Sequence, residues 1–332
     1  MTKTAIDVLG IGNAIVDVIS REEEGFINAH GLNRGTMTLI DEDRAESLYA
    51  AMGPGLVCSG GSAGNTIAGV ASLGGRAAYF GKVRDDELGG IFAHEIRALG
   101  VKFDTAPATE GAKTARSLII VTPDAQRTMN TYLGACVGLG PDDIDADTVA
   151  AAQVTYMEGY LWDPPQAKQA FRKAMDLAHG AGRKTALSLS DPFCVGRYRD
   201  EFRDLVRNHI DILFANEDEI ISLYQTATFD EALAAFRAEG KLGALTRSEK
   251  GSVIVQGDET HVVPVHPVDQ VVDTTGAGDL YAAGFLFGIT QGRGLVESAR
   301  IASIAAAEII SHVGARPETA LKALIAKAGI AA

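Results

Sequence analysis

The chain has 332 residues, 46% of them hydrophobic, and a formal net charge of −13. That length allows one large α/β domain with an elaboration, or two domains, and the apolar content allows a sizeable core. The acidic balance argues against nucleic acid or an anionic membrane as main partner, but not against a phosphate ligand, which local amides and a few arginines can hold.

Residues 6–11 are a short apolar run ending at a glycine turn and predict a buried strand. Residues 43–52 carry charges at helical spacing, and 62–73 read as a helix opened by Gly60-Gly61-Ser62. A strand at 77–83 and a helix at 87–99 follow, then strands at 116–121 and 128–133 around a turn at Pro123-Asp124. From residue 153 a regular alternation begins. Strands are expected at 154–157, 184–189, 210–215, 242–246 and 252–255. Helices are expected at 166–179, 198–208, 217–224, 278–290, 295–312 and 318–328. Strands alternating with helices mean βαβ units and a mostly parallel sheet. Two stretches rich in Thr, Gly and β-formers, 13–40 and 101–135, break this rhythm and read as a small sheet standing off the large part, which takes 1–12, 41–100 and 136–332.

Cys58, Cys136 and Cys194 are odd in number and far apart, so free thiols fit better than a disulfide frame or zinc site. The stretch Met1 to Asp7 lacks the apolar core of a signal peptide, and no long uncharged apolar segment reads as a membrane span. A cytoplasmic protein is the expectation. Nothing separates monomer from homodimer.

The chemistry concentrates in Asp273-Thr274-Thr275-Gly276-Ala277-Gly278-Asp279, just before an apolar helical run. Three small residues at a helix start make an amide-rich turn suited to an anion. An acid in that first turn can take the proton of a hydroxyl that attacks a phosphoryl group. A helix cap alone needs one glycine, not this arrangement.

The segment resembles the active-site signature of the ribokinase-like family of sugar and nucleoside kinases. The resemblance implies a three-layer α/β/α fold with a β lid, and transfer of the γ-phosphate of ATP to a primary hydroxyl. It makes Asp279 the catalytic base and gives the amides of Gly276, Ala277 and Gly278 the phosphate.

Other motifs follow in the family's order. Gly10-Ile11-Gly12-Asn13-Ala14-Ile15-Val16-Asp17 is a poor dinucleotide fingerprint, with no third glycine and Ile15 where packing needs a small residue. It resembles the N-terminal substrate motif of adenosine kinases, which implies that Asn13 and Asp17 bind the acceptor. A carboxylate suits Asp17's task because it accepts from two neighbouring hydroxyls. Gly60-Gly61-Ser62-Ala63-Gly64-Asn65 resembles the second family signature and gives Gly61 and Asn65 to the acceptor; Ser62 also reads as a helix cap. Val83-Arg84-Asp85-Asp86 carries Arg84 where relatives have glycine.

By the same resemblance, Arg127 reaches the transferring phosphate and Asn216 with Glu219 serves the nucleotide and a water-bound Mg2+. Thr246, Gly251 and Thr275 contact the nucleotide, although Ser248 replaces a family glycine. Phe193 lines a base pocket, and Asp273 contributes to a monovalent-cation site for K+. The acceptor leans towards adenosine or another purine nucleoside; a sugar kinase for ribose, fructose or a keto-sugar acid is the alternative. A non-catalytic nucleotide-binding relative stays open at this point.

Overall fold

The computed structural model describes residues 4–124 and 126–330, so Met1 to Lys3 of the N-terminal reading and the last two residues of the large part lie outside it. Thirteen strands appear among the described residues, in chain order. They are β1 (Ile6–Ile11), β2 (Ile15–Arg21), β3 (Met37–Leu39), β4 (Gly55–Ser59), β5 (Ala77–Phe80), β6 (Ala115–Val121) and β7 (Arg127–Tyr132). Then come β8 (Ala152–Glu158), β9 (Lys184–Ser188), β10 (Ile212–Asn216), β11 (Leu242–Thr246), β12 (Ser252–Gln256) and β13 (Glu259–Val263). The helices are α1 (Glu24–Ala29), α2 (Glu42–Ala51), α3 (Ser62–Ser72), α4 (Glu87–Ala98), α5 (Ala146–Ala151) and α6 (Pro165–Gly180). After these lie α7 (Pro192–Asn208), α8 (Glu217–Tyr224), α9 (Phe229–Arg237), α10 (Ala277–Thr290), α11 (Leu295–Ile309) and α12 (Leu321–Lys327).

The large sheet has eight strands in the order β13-β12-β11-β10-β9-β8-β1-β5. From β5 to β11 all neighbours are parallel, and β12 and β13 close one edge antiparallel. All six residues of β1 are buried, as expected of a strand covered on both faces. Successive side chains leave a strand on opposite faces. Val8 joins the core under α3, α10 and α11, whereas Leu9 and Ile11 join the core under α6 and α7. The result is the three-layer ribokinase-like arrangement.

Helix α10 is buried along Leu280 to Gly288, because it lies between the sheet, α3 and α11. Glycine at 284 permits the close approach of α11: a Cβ there would fall 2.5 Å from the Ala302 Cα. This packing fixes the N-terminus of α10 against the sheet.

The second sheet has five strands, β3-β7-β6-β2-β4. Its composition moves the predicted boundaries. The sequence reading leaves 41–100 in the large part, but Gly55–Ser59 pairs antiparallel with β2 at the edge of the small sheet. Leu48 of α2 is buried there with Val18 and Leu118. Conversely, residue 102 bridges to Ala78 and 108 to Arg84, and Phe103 packs in the large core against Tyr79 and Phe92. The small sheet therefore takes β4 and gives up the stretch after α4. Strand β4 escapes the sequence because Gly53-Pro54-Gly55 breaks the pattern and its first two residues are exposed.

Helix α7 starts at Pro192, six residues before the expected 198. Asp191 caps it by accepting from the Cys194 amide at 2.6 Å, and proline is favoured at the first helical position. Tyr198 is non-helical, so two helices join across a kink there.

Candidate active site

In open parallel sheets, ligands bind outside the carboxyl ends of the strands. The motif residues gather at that edge. Asn13 follows β1, Glu158 ends β8, and Asn216 and Thr246 end β10 and β11 side by side in register. The N-termini of α3 and α10 meet over the same edge, and β2 brings Asp17 down from the small sheet.

Gly276 caps α10 in the left-handed conformation, with φ 79°. Ala277, expected to hold phosphate, instead donates its amide to the Thr274 carbonyl at 3.2 Å and closes the turn. The amides of Gly276 and Gly278 have no partner among the described residues. A side chain at Gly278 would point into open space, so nothing in the fold itself fills the cradle. Asp273 braces the turn. Its Oδ1 accepts from the Thr275 amide at 3.0 Å and hydroxyl at 2.7 Å, and its Oδ2 accepts from the Gly314 amide at 3.0 Å.

Arg127, at the start of β7, pairs with that same Oδ2 at 2.9 Å. The small sheet thus touches the anion turn. The Arg127 Nε and Nη2 are buried without partners, two donors free for an anion. The Asp273 carboxylate is committed to Arg127 and to the turn, so the expected cation role finds no open oxygen there.

Asp279 sits in the first turn of α10. Its Oδ1 accepts from the Ser62 hydroxyl at 2.6 Å, and its Oδ2 accepts from the Asn65 amide nitrogen at 3.0 Å. Ser62 is not the helix cap predicted for it; Gly61 holds that position, with φ 84°, and Ser62 turns to the acid. The Asn65 Oδ1 is buried without a partner. Asp279 retains some accessible area, yet protein encloses it enough that desolvation raises its pKa to about 6; the Ser62 and Asn65 bonds and the Arg316 charge act against that rise.

Asp17 is the second acid. It is half-buried and accepts no hydrogen bond from the described residues. Gly60 lies directly against it; a Cβ at 60 would fall on the carboxylate. Desolvation raises its pKa to about 6, helped by the nearby Asp279 charge and opposed by Arg316 and Arg127.

Two residues of the site have no role of their own in the motif reading. Glu158, buried at the end of β8, accepts from the Asn13 amide at 2.8 Å, the Asn13 side chain at 2.6 Å and the Ala63 amide at 2.6 Å. It ties the turn after β1 to the start of α3, and desolvation lifts its pKa to about 7 against those three bonds. Its sequence signal is slight: an acid closing the apolar run 152–158. Arg316 lies in the loop after α11, with no periodic context.

At the ends of β10 and β11, Asn216 and Glu219 form a reciprocal capping box at the start of α8. Glu219 is 6% exposed, and desolvation raises its pKa to about 7, with the Asp191, Asp218 and Asp279 charges adding to it. Ser248 adopts φ 50°, so it enters the left-handed region without glycine, while Gly251 keeps φ 85° where a Cβ would strike the Val263 carbonyl. Arg247 pairs with Glu217 at 3.1 Å and stacks over Phe229 at 4.0 Å. Phe193 is 83% exposed at the start of α7, so it has no core role.

An enclosed carboxylate at a glycine-rich helix start, beside free amides and an arginine from a second sheet, defines a phosphotransferase site for an alcohol acceptor. The pattern of the family described as pfkB family carbohydrate kinase matches residues 56–321, and the chain belongs to that family. A crystal structure titled adenosine kinase, from Sinorhizobium meliloti, is similar with a TM-score of 0.92 and 56% identity over 98% of this chain and 100% of that one. A probable sugar kinase from Rhizobium etli CFN 42 is similar with a TM-score of 0.93 and 54% identity over 98% of this chain and 99% of that one. Adenosine kinase from Saccharomyces cerevisiae is 27% identical over 327 residues, covering 92% of this chain and 94% of the yeast protein. The protein is a carbohydrate or nucleoside kinase. No helix among the described residues is long and apolar enough to cross a membrane.

Proposed function

We propose that the protein transfers the γ-phosphate of ATP to the primary hydroxyl of a ribose-containing acceptor, adenosine or another purine nucleoside. The observation that carries this is the pairing of two unlike acids. Asp279 is held by Ser62 and Asn65 beside the free Gly276 and Gly278 amides, and Asp17 stands opposite with no donor of its own.

In this reading Asp17 accepts from two ribose hydroxyls, and Asn13, Gly61 and Asn65 complete the acceptor pocket. Asn65 offers its unpartnered Oδ1 to a hydroxyl and its amide to Asp279. The acceptor oxygen forms its bond to the γ-phosphorus as the β–γ bridging bond breaks. The leaving electron pair goes to ADP and the hydroxyl proton to Asp279. The Gly276 and Gly278 amides and the free nitrogens of Arg127 hold the equatorial oxygens as charge redistributes. Asn216, Thr246, Gly251 and Thr275 border the nucleotide.

The described residues hold no cluster of three or more acidic, His or Cys ligands. A Mg2+ entering with the nucleotide phosphates would be held by those phosphates, with Glu219, beside the Asp191, Asp218 and Asp279 charges, as the protein acid that would reach it through water. When bound, magnesium neutralises phosphate charge.

Phe193 supports the nucleoside reading: an exposed aromatic at the strand ends is available to stack on a purine. The similarity to the Rhizobium etli probable sugar kinase keeps a free sugar as the second reading. ADP release from Mg-ATP against adenosine, inosine, guanosine, ribose, fructose and a keto-sugar acid decides between them. Turnover with nucleosides alone supports the first reading, and turnover with a free sugar alone overturns it while keeping the kinase.

A further inference from the structure

Arg316 sits beneath the acceptor pocket, in the loop after α11. Its Nε donates to the Ser59 carbonyl at 3.1 Å and its Nη2 to the Gly60 carbonyl at 3.4 Å. Its Nη1 is buried without a partner. The absence of a side chain at Gly64 makes the room: a Cβ there would lie 3.3 Å from Nη2. The buried Tyr79 hydroxyl, also without a partner, lies 4.0 Å from the same point.

A guanidinium enclosed in protein without an ion pair is costly unless nearby charge compensates it. Arg316 makes no ion pair with any described carboxylate. The charges that act on it come from Asp17 and Glu95, while Glu95 itself accepts from the Ser59 amide at 2.6 Å. The Gly60 it anchors is the residue that presses on the Asp17 carboxylate, and the Gly60 amide is fixed to the Ile15 carbonyl at 2.8 Å.

We propose that Arg316 is a positioning residue for the phosphoryl acceptor: it fixes the Gly60 turn beneath Asp17 and supplies the positive charge that two enclosed carboxylates need in order to share one site. The assignment rests on the kinase reading above. Groups acting on Asp17 come from each neighbouring element: Arg316 from the loop after α11, Arg127 from β7 and Asp279 from α10. Cys58 of β4 is its cross-strand neighbour. Arg316 is also the cation that acts on Asp279.

The test compares wild type with Arg316→Gln, which removes the charge but keeps a donor, and Arg316→Lys, which keeps the charge but not the two-carbonyl grip. Acceptor and ATP KM and kcat are measured by ADP release from pH 5 to 9, with a thermal melt on each protein. Expected for Arg316→Gln is an acid limb of acceptor kcat/KM moved upward by about one pH unit, a loss of roughly tenfold at pH 6 that shrinks towards pH 9. The ATP KM stays within about twofold of wild type, since the change sits on the acceptor side. Arg316→Lys keeps the limb in place and raises acceptor KM.

A purely structural role would lower the melting temperature or kcat at every pH without moving the limb, and that result overturns the proposal. If Arg316→Gln does not fold, Arg316→Lys decides. An unmoved limb with raised acceptor KM supports the assignment; a displaced limb, or unchanged KM, overturns it. Wild-type silence on every acceptor sinks the kinase reading and the assignment with it, a result distinct from turnover with an unmoved limb.

Discussion

Asp279 and Asp17 are both aspartates in one site, both raised to a pKa of about 6 by desolvation, and the protein treats them in opposite ways. Asp279 belongs to a helix buried along most of its length, and its two oxygens are aimed by Ser62 and Asn65. Asp17 rides on a strand of the small sheet and has no protein donor among the described residues. A base must be in place before its substrate arrives, so fixed hydrogen bonds serve it. A binding carboxylate must keep its lone pairs open, so donors from the protein would compete with the ligand. In the proposed reading, the difference between the two acids is a division of labour set by the element that carries each, helix α10 for Asp279 and strand β2 for Asp17.

The strongest way to break this comparison is Asp279→Asn. The side chain keeps its shape but loses its basicity, so kcat should fall by on the order of 10²–10⁴-fold while acceptor KM changes little. Asp17→Asn should do the reverse. Two charge-assisted hydrogen bonds to the acceptor weaken, and acceptor kcat/KM should drop by about 10–100-fold, mostly through KM. Steady-state kinetics on the two variants show whether their roles separate.

A third prediction uses the shared electrostatics. Burial holds the Glu158 carboxyl at a folded pKa of about 7, above the ordinary glutamate value of 4.5. Between those values the folded state holds a proton that the unfolded state releases. The stability this gives is full below 4.5 and is lost as pH rises through 7. Asp17, Asp279 and Glu219 are raised too and act in the same direction. Thermal melts of the ligand-free protein should therefore show falling stability from pH 5 to 7.5. Glu158→Gln should flatten that slope by on the order of 1 kcal/mol. A slope unchanged in the variant would count against Glu158 being neutralised by burial.

The smallest effect is expected at the pocket rim. Phe193→Ala should raise nucleoside KM a few-fold, about 0.5–1.5 kcal/mol, and leave any free-sugar turnover unchanged. Equal losses for both acceptor classes would remove the stacking argument.

The sequence carried seven of the large sheet's eight strands because they are apolar runs between helical patterns; the edge strand β13, Glu259–Val263, was not expected because three of its five residues are exposed. Ile6–Ile11 and Ile212–Asn216 are read within two residues or better. The small sheet was harder. Gly55–Ser59 is short, starts within a Gly-Pro-Gly break and exposes its first two residues, so its membership depends on pairing with β2 and not on its own pattern. The same division holds for the site. Asp279, Asn65 and Asp17 lie in glycine-rich motifs that constrain the backbone, and the structure brings Ser62 and Asn65 onto Asp279. Glu158 and Arg316 act through long-range contacts, 145 residues apart in the case of Glu158 with Asn13, and local sequence does not encode such a meeting. Arg127 was legible as a cation but not its pairing with Asp273, which ties β7 of the small sheet to the anion turn through one side chain.

The most direct measurement is ADP release from Mg-ATP by wild type, Asp279→Asn and Asp17→Asn, with adenosine as acceptor and its concentration varied. The account predicts nucleoside-dependent turnover in wild type, a collapsed kcat with near-native KM in Asp279→Asn, and a raised KM with the smaller loss of kcat in Asp17→Asn. Wild-type kcat in Asp279→Asn, or the same kinetic defect in both variants, would contradict it.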